Sequence, residues 1–434
     1  MKAIRIPALI TAVMLLCACC PPALAASGER YTSGDFIYVL EYGGTANLVD
    51  YRGAGGEITI PDELDGHPVT ASESPFINLI NADIPFTLKV GSEHPNLETV
   101  DGVLIIKTSR TVICCPPSLN LSEFGIPQGI RQIGGSAFYF CEDLTGITIP
   151  DSVTDIGAGA FHACRRLTDV TLPPHLSGIG PWAFYGCALT RVTVPDGITC
   201  IEGYTFSDCR RLADVGLPDT LRKICGWAFE NCVSLTALSI PDSVTEIEGD
   251  AFDGCRNLAS VTVSDKNPAY AVADGVLFNR SMTLLLMYPA GKPEKTYTVP
   301  DSVTGIGGGA FNNCANLESI TIPDTVNVIE KKAFLNCDGL TSMTLPQGIT
   351  RVAFWAFYSC GKLESVIIPD SVTYIDQFAF SNCVRLQTVR IPASVTRIDF
   401  KAFDNCPDLV VLAPAGSYAE QWCRSEGKRF QADP

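Results

Sequence analysis

Nineteen cysteines and four histidines are the residues of this chain best suited to chemistry, and their spacing decides which chemistry is open to it. His67, His94, His162 and His175 stand in no metal-ligand spacing and beside no nucleophile motif. Eleven cysteines form a series instead, at 141, 164, 187, 209, 232 and 255, then at 314, 337, 360, 383 and 406. The step is 23 residues, with one of 22 and one of 59, and each cysteine closes an Ala/Thr-Phe-x-x-Cys motif. A cysteine three residues from a core phenylalanine packs as a small hydrophobe. Stacked about 4.8 Å apart, such cysteines reach bonding distance. A disulfide also needs a dihedral near 90°, which a column of parallel side chains does not offer. Most of the column is therefore expected to be free thiol. Zinc is not expected, because the series contains no paired Cys-x-x-Cys and no histidine beside it.

Two further patterns could be read as ion or phosphate sites. The Pro-Asp column at Asp151, Asp196, Asp219, Asp242, Asp301, Asp324 and Asp370 would stack carboxylates. A turn role explains those aspartates without calcium, and Pro174, Gln347 and Ala393 break the column. Gly305-Ile-Gly-Gly-Gly309 resembles a phosphate loop only superficially, since the glycines recur at one place in the repeat and read as coil corners. No acid, base and nucleophile converge. The expectation is a protein without cofactor, metal or catalytic residues, an enzyme with an unrecognised site being the last of three readings.

The elements that position these residues repeat with them. In Leu144-Thr-Gly-Ile-Thr-Ile-Pro-Asp-Ser-Val-Thr-Asp-Ile-Gly-Ala-Gly-Ala-Phe-His-Ala-Cys164, the apolar residues Leu144, Ile147 and Ile149 mark one strand-like run. Val153 and Ile156 mark a second, and Pro150-Asp151 makes the turn between them. Gly157 to Cys164 reads as a short helical turn carrying Phe161 and Cys164 inward. One such unit cannot close a core, so its neighbours must stack on it. The fold expected is a β-rich solenoid of leucine-rich-repeat type, about 23 residues per coil, with short strands and a short helical turn in each. Asp274-Gly-Val-Leu277 and Asp101-Gly-Val-Leu104 stand at matching places before the repeat and read as turns of two hairpin-like insertions.

This pattern resembles the BspA-type leucine-rich repeat family of bacterial surface and secreted proteins, over roughly residues 35–425. Gly56-Glu-Ile-Thr-Ile-Pro-Asp62 resembles the family's opening, and Ala415-Gly-Ser-Tyr-Ala-Glu-Gln421 its closing cap. Residues 72–88 depart from it: Ser74-Pro75-Phe76 stands where Ala-Phe is expected, and no cysteine follows. The resemblance implies adhesion to host proteins or to other cells.

Residues 1–25 read as a secretory signal peptide, with Lys2 and Arg5, an apolar run from Ala8 to Leu16 and Ala23-Leu24-Ala25. Lipoprotein anchoring at Cys19 is the rival reading. The expected segments are then 26–118, an N-terminal region with atypical repeats and an insertion; 119–264, a first block of repeats; 265–296, a second insertion; 297–408, a second block; and 409–434, a cap. Removing residues 1–25 takes away two cations and no acid, which moves the net charge from −16 to −18. Such a chain repels nucleic acid and anionic lipid. No later stretch is apolar enough to span a membrane, so a secreted or cell-surface location is expected.

In a solenoid the outward positions are free to vary. The residue before the second-strand apolar residue varies most, and in the last coils it is Arg351, Tyr374 and Arg397. With Arg390 on a first strand, these four residues are the expected ligand-binding set, a basic and aromatic patch suited to an acidic protein surface. The outward first-strand residues, such as Thr148, Thr171, Thr193, Ser239, Thr321 and Thr344, read as β-propensity. The leading expectation is non-enzymatic protein–protein binding. Glycan or cell-wall binding is the alternative and needs an exposed aromatic row, of which the variable column offers only Tyr374.

Overall fold

The computed structural model describes residues 29–72 and 74–433. The expected signal peptide, 1–25, lies outside the described residues. Contacts divide the chain into two compact units, Met1–Leu221 and Arg222–Pro434. Both are parallel β-solenoids.

In the first unit, an antiparallel sheet opens the chain with Arg30–Ser33, Phe36–Leu40 and Ala46–Tyr51. A hairpin follows, Val103–Ile106 against Thr111–Cys114. Its second arm pairs in parallel with Gln132–Ile133, and from there the ladder runs one coil at a time to Asp155–Ile156 and Gly178–Ile179. A second ladder joins the first strands, from Glu123–Gly125 to Gly146–Thr148 and Asp169–Val170. Phe76, which stands off the repeat in sequence, is fully buried and packs against Tyr51 and Phe86.

The second unit repeats this scheme. Three antiparallel strands, Tyr270–Ala273, Val276–Asn279 and Leu284–Met287, form its insertion. The last of them pairs in parallel with Gly305–Ile306 and restarts the ladder. The helix Tyr418–Glu426 closes the end. Ser417 accepts a bond from the Glu420 amide at its start, and Gly427 takes the left-handed conformation that ends it. Its Trp422 packs 5.7 Å from Phe403, so the helix covers the last exposed ring of the column.

Inside each unit the phenylalanines stack face to face. Phe138, Phe161, Phe184 and Phe206 lie 5.2, 5.3 and 5.6 Å apart in the first unit. Phe311, Phe334, Phe357, Phe380 and Phe403 lie 4.9, 5.0, 5.2 and 5.1 Å apart in the second. The cysteines do more than fill space. Most column thiols donate to the carbonyl of the phenylalanine one coil earlier, as Cys164 does to Phe138, Cys187 to Phe161 and Cys360 to Phe334, all at 3.1 Å, while Cys141 donates to Cys115 and Cys314 to Tyr288. The phenylalanine carbonyl also accepts from the cysteine amide of its own coil, so the thiol occupies its second lone pair. The structure places none of the sixteen described cysteines in a disulfide.

The Ala-Phe-x-x-Cys segment turns with three-residue bonds, such as Cys164 N to Phe161 O at 3.1 Å, but it is not a helix. Between those bonds the backbone turns outward to the next coil, as Phe161 N does to Ala183 O at 2.8 Å. The alternation needs left-handed residues. Each such turn carries one before Cys, including Asn231, Asn313, Asn336, Asn382 and Asn405, and asparagine tolerates that conformation best among non-glycine residues.

At the insertion of the second unit, residues 250–255 and 307–314 meet without an intervening coil. The Asp253 carboxylate accepts bonds there from the Asn312 and Asn313 side-chain amides. Burial, and then Asp250, push its pKa up, while Lys332, the Gly254 amide and Asn313 pull the other way. A raised folded pKa stabilises the fold below the unfolded carboxyl pKa, and that contribution is lost as pH rises through the folded value. Asp253→Asn should therefore melt at the parent's temperature or above it at pH 7, with the difference shrinking toward pH 3. Thermal unfolding across that range checks this; a variant that melts lower at pH 7 contradicts it.

Candidate ligand-binding face

Arg351–Val352, Tyr374–Ile375 and Arg397–Ile398 pair in parallel, with Arg351 opposite Tyr374 and Tyr374 opposite Arg397. Successive strand side chains alternate sides. Val352, Ile375 and Ile398 are therefore buried, and Arg351, Tyr374 and Arg397 share one outer row. The Arg397 guanidinium lies 4.7 Å from the centre of the Tyr374 ring, within cation–π range. Its Nε donates to Asp399 Oδ1 at 2.8 Å, and the Tyr374 hydroxyl donates to the other carboxylate oxygen. Tyr374, then Arg397, hold the Asp399 carboxyl below its usual range, and the bond to Asp399 raises the Tyr374 phenol in turn. Arg351 lies 3.6 Å from Asp376. Both arginine side chains remain more than half exposed, at 57% and 64%.

Arg390 is not part of this row. It sits on the first strand Thr388–Arg390, in register with Ile367 and Leu412, and pairs with Asp433 at 2.5 Å. The turn at Pro392 separates it from Arg397. Three of the four expected residues are thus brought together. The patch is also not basic, since Asp376 and Asp399 balance Arg351 and Arg397. Both aspartates follow the second-strand isoleucine, where other coils carry Gly157, Gly180 or Gly307. Reading that column beside the variable one would have found them.

A second outer feature escaped sequence reasoning. The residue just before Ala/Thr-Phe is left-handed in nearly every coil, and several of these residues are bulky aromatics, an uncommon use of that conformation. In the first unit Trp182 and Tyr204 stack at 5.1 Å and 8°. In the second, Trp355 stacks on Phe354 at 4.8 Å with Phe378 beside them, and Lys332 stands 5.9 Å from both Trp227 and Trp355. Their signal was the position before Ala/Thr-Phe, read down the repeats.

Residues 115–188, 177–272 and 292–410 match the BspA type leucine-rich repeat region, in six copies. The chain belongs to the BspA-type leucine-rich repeat family. Among solved structures, this BspA-type chain is similar to a leucine-rich cell surface protein from Faecalibacterium prausnitzii, at 31% identity. That likeness covers 91% of this chain and 97% of the other, with a TM-score of 0.66. A leucine-rich repeat protein from Bacteroides ovatus shares the fold at 24% identity, covering 93% and 100% of the two chains with a TM-score of 0.52. The pneumococcal vaccine antigen PcpA shares it at 17% identity, 94% and 99% coverage and a TM-score of 0.55. No curated protein matches the BspA-type chain. Among its described residues no helix is long and apolar enough to cross a membrane.

Proposed function

We propose that this BspA-type protein is an exported, non-enzymatic binding protein, and that the row Arg351, Tyr374 and Arg397 holds a partner protein during adhesion to a host or neighbouring cell. The observation that carries the reading is the clasp of half-buried Tyr374 and Asp399 with exposed Arg397, already ordered by ring contact and hydrogen bonds. Tyrosine and arginine are favoured at binding hot spots, and preordering them lowers the entropy lost on binding. The partner surface this suits carries both signs of charge around an apolar centre, because the row is balanced. The signal-peptide pattern of residues 1–25 supports export, as does the described location of the Faecalibacterium protein.

The test is to screen the full chain against immobilised extracellular-matrix proteins and then compare variants on a protein that binds. Arg351→Ala, Tyr374→Ala and Arg397→Ala should keep the circular dichroism spectrum and melting temperature, since their side chains point outward. Loss of a hot-spot side chain weakens binding about thirtyfold. If all three variants bind like the parent, the row is not the site.

Glycan binding is the second reading. The aromatic clusters at Trp182 and Tyr204 and around Trp355 favour it, because flat rings are platforms for sugar faces. It ranks second because these rings are largely covered by one another, Trp182 being 9% exposed.

A further inference from the structure

One coil of the second unit fails to close its core. Ile224, Ile306, Ile329, Val352, Ile375 and Ile398 are at most 6% exposed, but Ile247 at the same position is only half-buried. Phe252 is 8% exposed, against 1% or less for Phe229, Phe311, Phe334 and Phe357. The cause is the insertion. Glu246–Ile247 pairs with Lys223–Ile224, but among the described residues of the second unit no strand continues the ladder beyond it. The strand that would do so, Gly305–Ile306, pairs with Leu284–Met287 of the insertion instead.

The gap is a cleft of two adjoining hollows that share Gly249, Phe252 and Met287. The apolar hollow has a volume of ≈ 160 Å³ and is lined by Ile247, Phe252, Leu277, Leu284, Leu286 and Met287. A cavity of about 150 Å³ holds a benzene ring, so this one accepts a leucine, methionine or phenylalanine side chain. Its rim carries Glu248 and Glu330. Glu330 accepts a bond from the Gly308 amide, and among the described residues no lysine or arginine pairs with it. The smaller hollow, ≈ 30 Å³, carries Asp250 and Asp253 against the single cation Lys332. It is also lined by Tyr288, 3% exposed, whose hydroxyl has no hydrogen-bond partner.

We propose that this cleft is a second binding site, separate from the Arg–Tyr row, which takes an extended peptide by one large apolar side chain with a lysine or arginine beside it. The apolar hollow receives the side chain, and Glu330 on its rim favours the cation, since Glu248 is already paired with Lys223 and Asp250 with Lys332. The acidity of the whole chain draws a basic segment toward it.

Methyl-labelled methionine in the full chain reports on the cleft directly, because Met287 lines it while Met343 is buried elsewhere. Three capped tripeptides serve as probes: Arg-Leu-Arg, Arg-Ser-Arg and Glu-Leu-Glu. Arg-Leu-Arg should shift the Met287 methyl signal saturably, with a dissociation constant of about 1 mM or tighter, and leave Met343 in place. The serine and glutamate peptides should shift Met287 little at the same concentration. Glu330→Gln should weaken Arg-Leu-Arg by about threefold, the effect of one exposed ion pair. No Met287 shift with Arg-Leu-Arg, equal shifts with all three peptides, or unchanged binding by Glu330→Gln overturns the proposal. None of these results depends on Arg351, Tyr374 or Arg397.

Discussion

Phe357→Ala should unfold this protein at a markedly lower temperature than any surface substitution. Phe357 is fully buried, with its ring 5.0 Å from Phe334 and 5.2 Å from Phe380 in nearly parallel planes. Removing a buried phenylalanine ring costs about 3–5 kcal/mol, from lost transfer energy and from the cavity left behind. Relaxation is limited here, because both neighbouring rings are held by their own coils. The loss falls on the contact between adjacent repeats, which is the term that makes a repeat array cooperative. Differential scanning calorimetry should show a lower midpoint, with the transition broadened or split. A midpoint within error of the parent would mean that the ring column does not couple the coils.

The second large effect is alkaline. Burial pushes the thiols of Cys164, Cys187 and Cys337 well above the ordinary range, and those of Cys114 and Cys406 up to about 12. The sign follows from which state binds protons. Above pH ~8.5 the thiols of the unfolded chain ionise while the folded ones stay protonated, so stability is full below that pH and falls as pH rises toward the folded values. The loss is about 1.4 kcal/mol per buried thiol for each pH unit above the unfolded pKa. Several thiols acting together should unfold the protein between about pH 9 and 11, and the exposed lysine ion pairs lost over the same range add only about 1 kcal/mol or less each. Circular dichroism against pH reads this, and stability that stays flat from pH 8 to 10 contradicts it. Thiol titration of the denatured, unreduced chain should also find most of the eleven column cysteines free. Several disulfides between successive repeats would overturn that.

Much of this architecture was legible because a repeat states each core position many times over. The Ala/Thr-Phe-x-x-Cys motif, the Pro-x-x turn and the paired apolar runs appear in the structure as the ring column, the corner and the two ladders. Features that depend on one coil touching the next were harder to read. The thiol-to-carbonyl bonds join residues 25 or 26 apart, as Cys209 joins Phe184, and follow from coil geometry, not from hydrophobic pattern. The expected helical turn at 157–164 is a run of turns because left-handed residues such as Ala163 redirect the backbone to its neighbour. At the candidate face, the row of Arg351, Tyr374 and Arg397 came from the variable column, while its charge balance came from a column that is glycine in most earlier coils of the first unit. Arg390 lies on a first strand, as its place in the repeat indicated, and the corner between the two strands separates it from the row. The opening at Ile247 follows from the 59-residue step, but only the pairing of Leu284–Met287 shows which coil is left uncovered.

The most direct measurement of the central claim, that this repeat protein binds a protein through its outer Arg–Tyr row, is a paired screen. The full chain and its Arg351→Ala/Tyr374→Ala/Arg397→Ala variant are applied side by side to an array of extracellular-matrix and bacterial surface proteins and to an array of glycans. The account predicts that the parent binds at least one protein, that the folded variant loses it, and that neither binds the glycans. Binding to glycans alone, protein binding that survives in the variant, or no binding by the parent on either array would contradict it.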